Sequence, residues 1–263
     1  DSRFEEETLR IQMIAEVEQS VVVVKTDTGH GSGIIFKSEP APNNPELTRY
    51  YVLTNHHVVE DGGEMKIHFG SDILDLPVSD YTSYSPYDIA VVRFITSRVL
   101  RVHDIIPLQV DPEDPDKFYE LEILKGQDVY AIGTPDDISR FNYVTPGIVS
   151  LTSYPYIGVE YLGIMHSAGL NPGNSGGPLF NSNGDVIGIN VAKVPFSTSS
   201  GIQIPAANLN YALSVNKISS VVRNFQESSY TAVERVPRLG VTVQEVSLFL
   251  EDNQDGASLL PPN

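Results

Sequence analysis

Between residues 20 and 94 the apolar side chains arrive in short bursts, not at helical intervals. SVVVVKT (20–26), SGIIF (32–36), RYYVLTN (49–55), EMKIHF (64–69), DILDLPV (72–78) and DIAVVRF (88–94) are rich in β-branched and aromatic residues, with Gly, Pro, Asn or Asp between them. The rhythm resumes with QDVYAIG (127–133), YVTPGIVSLTS (143–153), VEYLGIM (159–165), DVIGINVA (185–192) and GIQIP (201–205). Eleven or so strands with no helices between them predict antiparallel barrels or sandwiches and argue against βαβ units. The intervening stretch, 95–126, contains DPEDPDKF and reads as a linker and surface loop. Two β-halves joined by one connection is the simplest plan.

Helical spacing occurs only at the edges of this pattern. In FEEETLRIQMIAEVE (4–18), Leu9, Met13, Ile14 and Val17 predict a short amphipathic helix. After Pro205, the positions Leu209, Ala212, Val215, Ile218, Val222 and Phe225 recur every three or four residues and predict a second helix packed on the second half. Residues 227–238 read as a connector, and RLGVTVQEV (238–246) as one more strand before an acidic tail. The expected division is a helical segment 1–19, a β-domain 20–226, and a connector and tail 227–263, with no repeat of fixed period.

Composition narrows the function classes. With 263 residues and 41% hydrophobic content the chain can bury a full core. A net charge of −17 repels nucleic acid and anionic membranes, so neither is expected as a partner. The absence of cysteine excludes a thiol nucleophile, a disulfide and a thiolate zinc site, and no metal or cofactor is implied. No apolar run approaches the roughly 20 residues that span a bilayer. The chain begins at Asp1, which suggests a processed or trimmed fragment whose targeting segment or membrane anchor would lie upstream.

Residues 171–178, NPGNSGGP, make Ser175 a candidate nucleophile, although Asn, Gly, Ser and Pro also make ordinary turns. The stretch fits both the G-x-S-x-G elbow of α/β-hydrolases and the active-site loop of chymotrypsin-like proteases. The elbow design needs a histidine after the serine and a helix directly behind it. The six histidines, His30, His56, His57, His68, His103 and His166, all precede Ser175, and GGP opens a helix poorly. An Asp–His–Ser order built on Asp27 and His30 would place both on one hairpin, and Asp27-Thr28-Gly29 as an aspartic-protease triplet lacks its second copy. The order His, Asp, Ser remains. YVLTNHHVV (51–59) is an apolar strand ending in a histidine pair, and Asp88 opens an apolar strand where an acid can be buried against an imidazole.

GSGIIF (31–36), VLTNHHVV (52–59), DIAVVR (88–93), AIGTP (131–135), TPGIVS (145–150), NPGNSGGPLFNSNGDVIGIN (171–190) and GIQIP (201–205) together resemble the protease domain of the HtrA/Deg family of serine proteases. The similarity runs in order from about residue 12 to 226. It implies a mainly β, chymotrypsin-like double barrel with a short N-terminal and a C-terminal helix. It also implies His57, not His56, as general base, Asp88 as the orienting acid and Ser175 as nucleophile. The oxyanion hole would be formed by Gly173 and Ser175 with Asn174 between them. The substrate pocket would be formed by Gly169, Leu170, Ile189, Asn190 and Val191, and its uncharged floor would favour small or medium apolar P1 residues.

By the same resemblance the expected activity is that of a serine endopeptidase on unfolded or exposed protein segments, in extracytoplasmic quality control. A homotrimer through the N-terminal segment is a further expectation. The alternative is a peptide-binding, chaperone-like module on a protease fold. Where most relatives have T-D-A-A-I-N this chain has HSAGLN (166–171), so His166 is unexpected; a satisfied loop histidine and a pH-responsive one are both open. GIQIP stands where the family has G-F-A-I-P, bringing Gln203 towards the pocket region. RLGVTVQEV resembles the first strand of a PDZ domain, with too few residues after it to complete one.

Overall fold

The computed structural model describes residues 2–226, apart from 71–74, 110, 112, 115–116, 157, 193–195, 200–201 and 206–208. Helix α1 (Ser2–Val17) leads into two closed six-stranded antiparallel barrels. The first comprises β1 (Val21–Lys25), β2 (His30–Ala41), β3 (Asn44–Thr54), β4 (Lys66–His68), β5 (Leu76–Tyr84) and β6 (Ile89–Thr96), in the order β1-β2-β3-β6-β5-β4. A four-residue helix α2 (His56–Val59) follows β3.

The second barrel takes β7 (Asp128–Gly133), β8 (Tyr143–Tyr156), β9 (Val159–His166), β10 (Pro178–Asn181), β11 (Val186–Val191) and β14 (Asn210–Ser214), in the order β10-β11-β14-β9-β8-β7. Strands β12 (Phe196–Ser199) and β13 (Ile202–Pro205) form a separate two-stranded sheet, and α3 (Val215–Gln226) follows β14. The expected double barrel with a helix at each end is therefore the fold. The expected connector and tail, 227–263, including RLGVTVQEV, lie outside the described residues.

Strands this apolar form barrels because closure pairs the edge strands and places one face of each in a dry interior. Val22, Val24, Ile35, Val52, Ile67, Val92 and Phe94 fill the first barrel, and Val129, Ala131, Val149, Ile164, Leu179, Ile187 and Ala212 fill the second. A third cluster, including Ile34, Leu53, Ile89, Ile132, Phe180 and Ile189, joins strands of both barrels, and α3 adds Val215, Ile218, Val221 and Val222 to it.

Two sequence expectations change, and the segment between two of the predicted strands takes a definite form. Residues 37–49 are a hairpin extension of β2 and β3, paired from Lys37↔Tyr51 to Ala41↔Asn44. Leu209 and Ala212 do not begin a helix: NYALS is strand β14, paired Asn190↔Ala212 with β11 and Ala212↔Ile164 with β9, and α3 begins only at Val215. That segment closes the barrel and runs directly into the helix, whereas Ile202–Pro205 pairs with β12 in the separate two-stranded sheet. In α1, Leu9 is 65% exposed, whereas Met13, Ile14 and Val17 pack on the core.

Candidate active site

Each candidate side chain sits where a strand ends. Strand β3 stops at Thr54; Asn55 is extended (φ −85°, ψ 153°), and the turn of α2 then presents His57. Asp88 ends a 3-10 turn, Ser85–Tyr87, with φ 52°, a left-handed conformation in which aspartate is one of the more tolerant residues. Asn55 supports that turn by donating from Nδ2 to the Asp88 carbonyl at 3.0 Å.

The His57 and Asp88 side chains meet directly. Nδ1 lies 2.9 and 2.8 Å from the two carboxylate oxygens, and the His57 backbone N–H donates to Oδ1 at 3.0 Å. Because an ionised carboxylate only accepts, Nδ1 carries the proton, and in the neutral ring Nε2 is left as the base. Asp88 is 3% exposed, so water competes little for it. Tyr156, from β8 of the other barrel, donates its hydroxyl to Asp88 Oδ2 at 3.1 Å. Burial and the Asp88 charge push that phenol far above its ordinary value, which keeps it a neutral donor.

Ser175 lies on the loop between β9 and β10, and this loop is fixed from both barrels. The Ser175 carbonyl accepts the Ser32 N–H at 2.7 Å, the Gly176 N–H donates to Asn190 O at 2.9 Å, and the Asn190 N–H donates to Gly177 O at 2.8 Å. Gly176 has φ +86°, and a Cβ there would sit 2.2 Å from Ser32 O and Thr54 Oγ1, so only glycine fits. Ser175 Oγ accepts the Ala192 N–H at 3.0 Å, which leaves its own proton free to be donated.

The peptides flanking Gly173 are held as well. Pro172 O accepts the Asp136 N–H at 2.8 Å, and Gly173 O accepts from Ser32 Oγ at 2.7 Å. In a trans peptide the N–H points opposite to the carbonyl, so the Gly173 N–H faces away from Asp136. Among the described residues the N–H groups of Gly173 and Ser175 have no protein acceptor, whereas that of Asn174 is used on Asn171 O at 3.0 Å. Two donors are therefore open for an incoming oxygen, and Asn174 contributes a buried side chain.

His57, Gly173, Ser175 and Ala192 line one cavity of about 280 Å³, together with Thr26, Thr28, His30 and Asp61. His30 Nε2 donates to Thr134 O at 2.9 Å. Gly169, Leu170, Ile189, Asn190 and Val191 do not line this cavity: Ile189 and Val191 belong to the core, and Leu170 packs against the core of the second barrel. The Gln203 side chain lies outside the described residues. Among the described residues, the His56 side chain has one polar contact, a long one with Glu60 at 3.8 Å. His166 is no loop residue; it ends β9 fully buried beside Asn190 and the backbone of Tyr211 and Ala168, and burial pushes its pKa down to about 4.

Sequence reasoning did not single out Tyr156 or Ser32. For Ser32 the signal was available, since it lies inside GSGIIF; the reach of Tyr156 between barrels has no local signature.

Residues 31–189 match the trypsin-like peptidase domain family. Over 239 residues the chain is 29% identical to "Serine protease Do-like HtrA" of Bacillus subtilis, covering 88% of this chain and 46% of that protein. Over 208 residues it is 32% identical to a "Probable periplasmic serine endoprotease DegP-like" of Marinomonas sp., covering 77% and 38%. The chain thus spans less than half the length of these curated relatives. Among solved structures, the MamO protease domain from Magnetospirillum magneticum superposes with a TM-score of 0.58 at 20% identity, over 78% of this chain and 97% of that one. The serine endoprotease from Yersinia pestis gives 0.59 at 23%, over 83% and 67%. At such identities the superpositions establish the double-barrel fold alone. With the family match spanning more than half of its residues, the chain belongs to the trypsin-like peptidases, among relatives of the HtrA/Deg type.

Proposed function

We propose that residues 20–226 form a serine endopeptidase domain in which Ser175 is the nucleophile, His57 the general base and Asp88 the group that orients and stabilises the imidazole. The observation that carries this reading is the His57 Nδ1–H held by both Asp88 oxygens while Ser175 opens onto the same cavity as His57. Serine is a weak nucleophile at neutral pH, so attack requires His57 Nε2 to accept the hydroxyl proton. As Oγ bonds to the scissile carbon, charge moves to the carbonyl oxygen, where the Gly173 and Ser175 N–H groups stabilise it. The imidazolium then returns the proton to the leaving amine, and water hydrolyses the acyl ester by the same path in reverse.

The substrates are unfolded or exposed protein segments, laid as an added strand beside the end of β11. Beyond the cavity that His57 and Ser175 line, Gly169 and Leu170 form an uncharged floor for small or medium apolar P1 side chains; the lack of an acid in HSAGLN (166–171) supports this. An extracytoplasmic location in protein quality control is supported by relatives whose names place them in the periplasm. Self-association through α1 is supported by Phe4, Leu9 and Ile11, which are 71%, 65% and 58% exposed.

Cleavage of a peptide library, read by mass spectrometry, tests activity and preference together. Cuts after Val, Ala or Leu that vanish in Ser175→Ala are expected. Cuts mainly after Lys or Arg would refute the pocket assignment. Tight peptide binding with turnover no faster than background would favour a peptide-holding module.

A further inference from the structure

We infer that Tyr156 is a fourth member of this apparatus, a positioning residue that acts on His57 through Asp88; the inference rests on the proposed catalytic roles. Among the described residues, donors converge on the buried carboxylate from three groups. The His57 backbone N–H reaches Oδ1, the ring Nδ1–H reaches both oxygens, and the Tyr156 hydroxyl reaches Oδ2. Two of these come from the residue being oriented. Tyr156 is a fixed reference from outside it, supplied by the second barrel to an acid of the first.

The ring is held independently of Asp88. Its backbone pairs with Val159 at the end of the β8–β9 hairpin, its ring lies 6.4 Å from that of Tyr211 at a 38° tilt, and it packs on the core cluster shared by both barrels. The hydroxyl therefore has a defined position to which the carboxylate is drawn.

This bond has two effects on catalysis. It fixes the rotation of the carboxylate, and so the plane in which the imidazole lies. It also draws part of the negative charge to the Oδ2 side, which sets how strongly the Nδ1–H is pulled as the imidazolium forms. A tie serving only stability would alter neither.

Tyr156→Phe removes one oxygen and keeps the ring. Its kcat should fall about tenfold with KM nearly unchanged, the size expected for losing a hydrogen bond to a charged group. The low-field proton resonance of the His57 Nδ1–H should move downfield, because the carboxylate charge is then shared with one donor fewer. Incorporation of 3-fluorotyrosine at position 156 keeps the packing and makes the hydroxyl a stronger donor, so the resonance should move upfield. It also decides the matter if Tyr156→Phe fails to fold. A resonance unmoved by either change, or a lowered melting temperature with kcat intact, would overturn the inference. If the native protein cleaves nothing, the proposed catalysis fails, while the resonance still reports whether Tyr156 acts through Asp88.

Discussion

Ser32 and Gly173 are the residues on which the geometry of the two open N–H groups depends most. Ser32 is fully buried and its hydroxyl does two things, donating to Gly173 O and accepting the Thr134 N–H at 2.9 Å. Ser32→Ala leaves both groups without a partner and frees the Gly173–Asn174 peptide to turn. A fall in kcat of about tenfold or more is expected, with a loss of about 1–3 kcal/mol in stability by denaturant titration. Gly173→Ala should be more damaging to turnover. Gly173 has φ +98°, and a Cβ would sit 2.2 Å from Thr134 O, so the loop must shift and carry one donor away. A loss of about 100-fold in kcat, measured on a peptide substrate, matches removal of one such donor.

At this scale the sequence was most legible where chemistry demands a residue type within a local turn. NPGNSGGP, the histidine pair and Asp88 could be read because glycine, histidine and acid are each needed beside a strand end. Tyr156 and Ser32 act across 68 and 141 residues, through hydrogen bonds that only the paired barrels create. Pocket-lining positions were the least legible, because alternation along β11 sends Ile189 and Val191 into the core, and Ala192, one residue on, opens to the cavity.

Among the elements, β14 shows why periodicity misleads. Leu209, Ala212 and Val215 keep helical spacing by coincidence, and they continue into a true helix, so the strand reads as part of it. Barrel closure requires a partner between β11 and β9, and NYALS provides it. Strand β9 brings a second consequence. The folded protein holds His166 neutral with a pKa of about 4, against 6.5 for the ordinary side chain. Above pH 6.5 this costs nothing, but as pH falls from 6.5 towards 4 the unfolded chain gains a proton that the folded chain refuses. Stability should therefore decline through that window, by about 3 kcal/mol at its lower end. His103, also lowered by burial, acts in the same direction. Urea titrations of the native protein and His166→Gln at several pH values check this: the variant should lose much of the decline, and equal slopes would contradict it.

Across the whole described fold, the site exists only where the barrels meet: His57 and Asp88 come from the first, Ser175, Gly173 and Tyr156 from the second. A charged group also ties the first barrel to α3. Arg93, 4% exposed on β6, donates to Asp80, Thr82 and the Phe225 carbonyl, anchoring the end of α3 to the first barrel. Arg93→Ala would leave Asp80 and that carbonyl without this donor. A destabilisation of about 1–3 kcal/mol, read by chemical denaturation, is expected for removing hydrogen bonds donated by a buried charged group.

The most direct measurement of the central claim is covalent labelling by a fluorophosphonate, mapped by mass spectrometry of the digested protein. A single adduct on Ser175 is predicted, absent in Ser175→Ala and strongly slowed in His57→Ala. An adduct elsewhere, or labelling that survives Ser175→Ala, would contradict the account.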